Sequence, residues 1–220
     1  MTGYSSARSY LSNSNLPRIL FHPEVTVMIR IATEADVPEI LSIYAPYVEN
    51  TTVSFEYTVP TREAFLERFQ TITAQYPWLV WEENGTVLGY AYAAPPYARA
   101  AYSWCAEPSV YLRPEARRRG IGSALYAALE VILSRQGYQV LYALVTSENE
   151  DSLRFHEKAG YTVRVLFPDC AYKFGRSLGV AWLEKRLKPV ETPSEMPVSW
   201  LSIGSNDQIL HDILDSLSLS

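Results

Sequence analysis

Three groups of residues have the types and spacing to do chemistry. The first is RRRGIGS, where Arg117, Arg118, Arg119, Gly120, Ile121, Gly122 and Ser123 lead from a charged turn into the apolar helix pattern ALYAALEVIL. A helix start offers backbone N–H groups without intrahelical acceptors and the positive end of the dipole, so a phosphate suits it. A charged, glycine-containing loop that binds nothing fits the same letters. The second is Glu107 in the apolar strand pattern WCAEPSVYL. Loss of water there should raise its pKa and make it a base near neutral pH; an exposed glutamate at a strand end or bulge is the alternative. The third is His156 in NEDSLRFHEKAGY, either a proton-handling group or a packing histidine on a helix.

The glycine pattern narrows the choice of phosphate motif. A P-loop needs Gly-Lys-Ser/Thr, which is absent, and a dinucleotide fingerprint needs a third Gly or Ala where Leu125 stands. What remains is R-x-x-G-x-G, formed by Arg117, Gly120 and Gly122 between a strand and a helix. Glycines let backbone N–H groups approach a pyrophosphate closely.

Bulk properties limit the partners. The chain has 220 residues, 48% hydrophobic and 20% charged, with a net charge of −5. That suits one domain with a sizeable core, and argues against general nucleic-acid binding. The basic cluster Arg113, Arg117, Arg118, Arg119 is local, which favours a small anion over a polyanion. Cys105 and Cys170 are far apart, with no metal or disulfide spacing, so no metal is expected and a reduced cytoplasmic compartment is the expectation. No stretch reaches the roughly 18 apolar residues of a membrane-spanning helix. Residues 1–23 carry Arg8 and Arg18 and no acid, a composition shared by transit peptides and flexible extensions.

These groups need elements to position them. VTVMIRIA predicts a strand, and Thr33 with Asp36 an N-terminal capping box for a helix carrying Val37, Ile40, Leu41, Ile43 and Tyr44. A second helix should start at Thr61. Asn84-Gly85 between two apolar runs predicts a hairpin. A strand over 104–112, a helix from the glycine turn to Gln136 with Gly137 as its cap, a buried strand QVLYALVT, a helix ending at Gly160, and two strands near 161–167 and 178–187 complete the domain. The order predicts an α/β (α+β) fold, a mixed central sheet with helices on both faces. Residues 1–26 are expected as a flexible extension, 27–188 as the domain, and 189–220 as a linker followed by an amphipathic helix with Ile209, Leu210, Ile213, Leu214 and Leu217 at helical spacing.

The R-x-x-G-x-G loop resembles the acyl-coenzyme A loop of the GNAT N-acetyltransferase superfamily. WCAEPSVYLRPEARRRGIGSALY is similar to its cofactor-carrying strand, loop and helix, and NEDSLRFHEKAGY to its next helix. Within the superfamily, NTTVSFE, YPWLVWEENGTVLGYAYAAPPYARAAYSW and YKFGR resemble the group that acetylates phosphinothricin and methionine sulfone or sulfoximine. The likeness spans about residues 28–187.

The resemblance implies acetyl transfer from acetyl-CoA to a small amine, without metal, and suggests a homodimer. It implies Glu107 as general base and His156 as a group near the thiol, where many relatives carry a tyrosine. It implies that Val110, Tyr111 and Leu112 offer backbone groups to the pantetheine arm, that Asn149 bonds that arm with Ser152 beside it, and that residues 117–123 hold the phosphates. Phe55, Arg99 and Lys173 match acceptor-pocket positions; an arginine can hold a carboxylate in a bidentate pair. Ser177 and Gly179 depart from the group's pattern of an aromatic and an acidic residue, which leaves the acceptor open. A polyamine, an aminoglycoside or a protein N-terminus would need only the same chemistry, and an acyl-CoA-sensing module would need none.

Overall fold

The computed structural model describes residues 27–189, 192 and 195–204; the expected N-terminal extension and the helix over 209–217 lie outside them. In chain order the elements are β1 (Val27–Ile31), α1 (Val37–Asn50), α2 (Arg62–Thr73), β2 (Trp78–Glu83), β3 (Thr86–Ala94), β4 (Cys105–Leu112), α3 (Ile121–Gln136), β5 (Val140–Thr146), α4 (Glu150–Lys158), β6 (Thr162–Lys173), β7 (Arg176–Arg186) and the short α5 (Trp200–Gly204).

Local signals set most boundaries. Thr33 and Asp36 form the expected capping interaction, with the Thr33 amide donating to Asp36 Oδ2 at 2.7 Å. Thr61 caps α2 by accepting from the Ala64 amide. Asn84 and Gly85 both have positive φ, at 52° and 77°, as the tight β2–β3 hairpin requires. Gly137, at φ 104°, ends α3.

The strands form one seven-stranded mixed sheet in the order β1-β2-β3-β4-β5-β7-β6. On one face, α3 presents Leu125, Leu129 and Leu133 to Ala91, Ala93, Ala106, Leu141 and Ala143. Small residues on the sheet let this helix lie close to it. On the other face, α1 and α2 bury Val37, Ile40, Phe65 and Phe69 against Trp78, Val80 and Tyr90.

The feature that matters for function lies between the central strands. β4 and β5 are parallel and pair only at Cys105–Val140 and Ala106–Leu141. Beyond Ala106, β4 stays with β3 as far as Leu112, while β5 stays with β7 as far as Thr146. The sheet therefore opens from Glu107 onwards.

Three expectations need correction. β5 is central but not covered on both faces: Leu144 is 40% exposed because α1 and α2 cover only the β1–β4 half of their side. β6 and β7 are longer than the apolar runs, joined by a turn at Phe174 and Gly175. An irregularity between Phe167 and Ala171 carries β6 past Pro168 and Asp169, beyond the expected end near 167. The stretch after Pro189, expected as a linker, folds back in part. The Val198 amide donates to Gln136 O, and Trp200 Nε1 to Thr73 O, so residues 198–200 strap the ends of α2 and α3.

Candidate active site

Strand pairing decides which atoms of β4 face the opening. In an antiparallel pair, alternate residues turn their N–H and C=O towards the partner strand. Pro108 cannot donate, and its carbonyl accepts from Tyr126 Oη at 2.9 Å rather than from β3. Pro108, Val110 and Leu112 thus face away from β3. Leu112 is already engaged, its N–H and C=O both meeting the Tyr47 hydroxyl. Tyr111 points its backbone at β3 and its ring into the aromatic cluster of Tyr44, Tyr47 and Tyr90. Of the three residues expected to serve an extended ligand with backbone groups, Val110 is the one turned to the gap with those groups unbonded among the described residues.

Glu107 stands where the strands part. Its side chain shares a face with Ser109 and Tyr111, towards the α1 side of the sheet, and its charge is felt by Tyr92, Tyr97 and Tyr111. Among the described residues no hydrogen bond or ion pair engages its carboxylate. Burial with no compensating donor pushes its pKa up. Burial also pushes Tyr92 up to about 12, so that phenol keeps its proton. A half-buried carboxylate without a partner, in a wall of protonated tyrosines, is suited to take a proton from an amine.

At the far end of β4 the chain turns into α3. Arg118 and Gly120 both have positive φ, 60° and 83°, and the first intrahelical bond is Ala124 N–H to Gly120 O at 3.0 Å. The amides of Ile121, Gly122 and Ser123 precede it and have no intrahelical acceptor. The three arginines are not equivalent. Arg119 is ion-paired with Glu83 and Arg117 lies over the Tyr47 ring, while Arg118 is exposed and makes no ion pair among the described residues. Gly122 packs between β4 and α4, where an added Cβ would meet Leu112, Phe155 and Val110 at 3.5–4.0 Å. Those are ordinary contacts, so the left-handed turn requires Gly120, whereas Gly122 has room for a methyl group.

Asn149 caps α4, its Oδ1 accepting from the Ser152 amide at 3.2 Å. Its side-chain nitrogen Nδ2 has no partner among the described residues, while its backbone amide donates to Thr146 O. His156 sits in a different environment from the one expected beside a reacting thiol. It is 6% exposed, packed edge-on among Tyr126, Phe155 and Tyr161. Both ring nitrogens are engaged: Nδ1 with Ser152 O at 2.8 Å, and Nε2 with Tyr126 Oη at 3.0 Å. Burial lowers its pKa, and the bond to Ser152 O opposes that.

Of the residues expected at the acceptor, Phe55 is 41% exposed, and Arg99 is exposed with no hydrogen bond or ion pair to its guanidinium among the described residues. Lys173 is not available as expected. It is 2% exposed, and its ammonium donates to the carbonyls of Val48, Thr51 and Ser54 at 2.6–2.8 Å, using all three hydrogens. It therefore supports the loop carrying Phe55. The two departures in β7 also have local reasons. Ser177 donates to Asp169 across the hairpin, and a Cβ at Gly179 would lie 2.7 Å from Ser147 Oγ.

Sequence reasoning missed Tyr47, Tyr92, Pro108 and Tyr126. A tyrosine on the otherwise aliphatic inner face of α3 was the available sign for Tyr126. A cavity of about 500 Å³ between α4 and β6 is lined by Leu153, Arg154, Tyr161 and Val163 among others. None of the expected site residues lines it.

Comparison with known proteins places the chain in a family. Residues 29–182 match the model of an acetyltransferase (GNAT) domain. A phosphinothricin N-acetyltransferase from Streptomyces viridochromogenes is 38% identical over 68% of this chain and 81% of its own length. An L-methionine sulfoximine/L-methionine sulfone acetyltransferase from Salmonella typhimurium is 34% identical over 75% of this chain and 97% of its own. The crystal structure of a Sinorhizobium meliloti phosphinothricin acetyltransferase in complex with AcCoA superposes with a TM-score of 0.74 at 34% identity, covering 77% of this chain and 94% of that one.

Proposed function

Because the chain belongs to the GNAT acetyltransferase family, we propose that it moves acetyl from acetyl-CoA to the α-amine of a small amino-acid-like acceptor, with Glu107 as general base. The observation that carries this reading is a partnerless carboxylate at the head of the parted strands, with the arginine–glycine helix start at their foot. The names of the relatives support an acceptor of the phosphinothricin or methionine sulfoximine and sulfone type.

The residues present fit the acyl donor. The amides of Ile121, Gly122 and Ser123 with Arg117 and Arg118 would hold its phosphates, and Val110 and Asn149 Nδ2 its amide-bearing arm. When bound, acetyl-CoA supplies an activated thioester carbonyl. An ammonium ion has no lone pair, so Glu107 takes a proton from the acceptor, directly or through water, before attack. The Val110 N–H is a fixed donor turned into the gap, able to favour negative charge on a carbonyl oxygen there. Tyr92 and Tyr111, half-buried and protonated, wall the cleft on the Glu107 side. With Lys173 occupied, Arg99 is the cation left to meet an acceptor carboxylate.

A homodimer and a cytoplasmic setting belong to the same proposal. The dimer is supported by the uncovered face of β5–β7, where Leu144, Val165 and Phe167 are exposed beside Trp182. Among the described residues no helix is long and apolar enough to cross a membrane.

The experiment is thiol release from acetyl-CoA with phosphinothricin, methionine sulfoximine, methionine sulfone, common amino acids and spermidine. Turnover confined to the amino-acid analogues supports the acceptor class. Turnover on spermidine alone overturns that class and keeps the chemistry, and acetyl-CoA binding without turnover on any amine favours a sensing module.

A further inference from the structure

Tyr126 on α3 has one hydroxyl hydrogen and two acceptors that call for it. Its oxygen lies 2.9 Å from the Pro108 carbonyl oxygen and 3.0 Å from His156 Nε2. The Ser152 carbonyl oxygen, 2.8 Å from His156 Nδ1, can only accept, so the network assigns a proton to Nδ1 and leaves Nε2 bare in the neutral ring. The Ser152 hydroxyl, 3.3 Å from Nδ1, does not change that assignment. In this state Tyr126 can donate fully to His156 or to Pro108, not to both. A proton on Nε2 reverses one bond: Nε2–H donates to the tyrosine oxygen, and the hydroxyl is released to Pro108. Tyr126 is 2% exposed and His156 6% exposed, so water does not take up the unmet bond.

The competition reaches the site because Pro108 follows Glu107 directly and turns its carbonyl towards the side where β4 and β5 part. We propose that Tyr126 is a positioning residue coupling the protonation of His156 to β4 beside Glu107: neutral His156 draws the hydroxyl off the Pro108 carbonyl, making that oxygen a stronger acceptor for an N–H in the gap, and protonated His156 returns the hydroxyl and weakens it. The inference rests on the gap being the acyl-CoA site. The other groups facing this cluster are Glu130 on the same helix, Glu107 on β4 and Tyr161 after α4; Glu130 is held by Lys185. Burial keeps the Tyr126 phenol protonated, so its hydrogen is always in play.

The test is acetyl-CoA affinity by calorimetry across the pH range in which His156 titrates, with that titration followed by imidazole ¹⁵N NMR. The wild type is read as its difference from Tyr126→Phe, which cancels the titration of the ligand's own phosphate. The expected result is affinity weakening about three- to tenfold as His156 gains its proton, the size of one net hydrogen bond. In Tyr126→Phe the His156 titration stays visible and this step is gone; His156→Gln, which cannot titrate, lacks it too. An equal step in either variant, or a wild-type affinity with no excess step through the His156 titration, overturns the proposal. Absence of acetyl-CoA binding by the wild type at every pH is a separate result that overturns the functional reading itself.

Discussion

The ammonium of Lys173 donates to the carbonyl of Ser54 at 2.6 Å, and by that bond the end of β6 holds the loop that presents Phe55. The same loop is tied to β5 by Thr146, whose hydroxyl donates to Thr52 O at 2.6 Å, and to β6 by Tyr57, whose hydroxyl donates to Tyr172 O. A residue expected in the acceptor pocket thus positions another, Phe55, that the resemblance also places there.

Lys173→Met should leave three buried carbonyls without their donor. The expected cost is about 2–4 kcal/mol of stability, because removing one member of a buried charged network strands the rest. In the protein that remains folded, KM for the amine should rise more than KM for acetyl-CoA. Thermal unfolding and a two-substrate kinetic matrix read both effects.

The glycine turn gives a contrast between two substitutions. Gly120→Ala forces a side chain into a left-handed conformation, costing about 1 kcal/mol and displacing the amides that follow. Gly122→Ala meets only ordinary contacts at 3.5 Å and beyond. The first should weaken acetyl-CoA binding, and the second should leave it close to wild type, as titration of each variant will show.

The arginines should separate in the same assay. Arg118→Ala removes an exposed cation that makes no ion pair among the described residues, and Arg117→Ala one that lies over the Tyr47 ring without an ion pair, with an expected loss of about tenfold each in acetyl-CoA affinity. Arg119 is already committed to Glu83, so Arg119→Ala should cost less. Raising the salt concentration should weaken wild-type binding more than that of Arg118→Ala.

Much of this arrangement was legible in the sequence because its signals are local. Asn84-Gly85, the Thr33–Asp36 pair and Gly137 each act through neighbouring backbone, and each lies where the letters put it. Glu107 stood out as a charge in an apolar strand. What was not legible depends on residues distant in sequence. The parting of β4 from β5 follows from which partners β3 and β7 capture. Lys173 matches an acceptor-pocket position in the sequence, and only the fold brings Val48, Thr51 and Ser54 around its ammonium. Tyr126 reads as one more apolar helix residue, because its two acceptors arrive on β4 and α4. Pro168 and Asp169 look like the end of a strand that in fact continues through an irregularity.

The open face of β5–β7 gives a fourth prediction. Phe167 and Leu144 are 43% and 40% exposed on the side that carries Trp182. Replacing both with glutamate should convert a dimer into a monomer in light scattering while leaving the circular dichroism of the domain unchanged. A wild-type monomer at micromolar concentration would contradict the dimer.

The central claim is that Glu107 takes the acceptor's proton, and the most direct measurement is kcat/KM against pH for the wild type and Glu107→Gln. Burial raises the Glu107 pKa, so the carboxylate form is gained as pH rises through that raised value, and wild-type kcat/KM should climb there. In Glu107→Gln, activity should fall by about 10²–10⁴-fold and that limb should vanish. The linkage runs the other way for stability. A carboxyl whose folded pKa is raised favours the folded state at low pH and disfavours it once ionised, so Glu107→Gln should unfold at a higher temperature than the wild type at neutral pH. An inactive but stabilised variant is the predicted outcome. A variant that keeps wild-type kcat/KM and its acid limb would contradict the account.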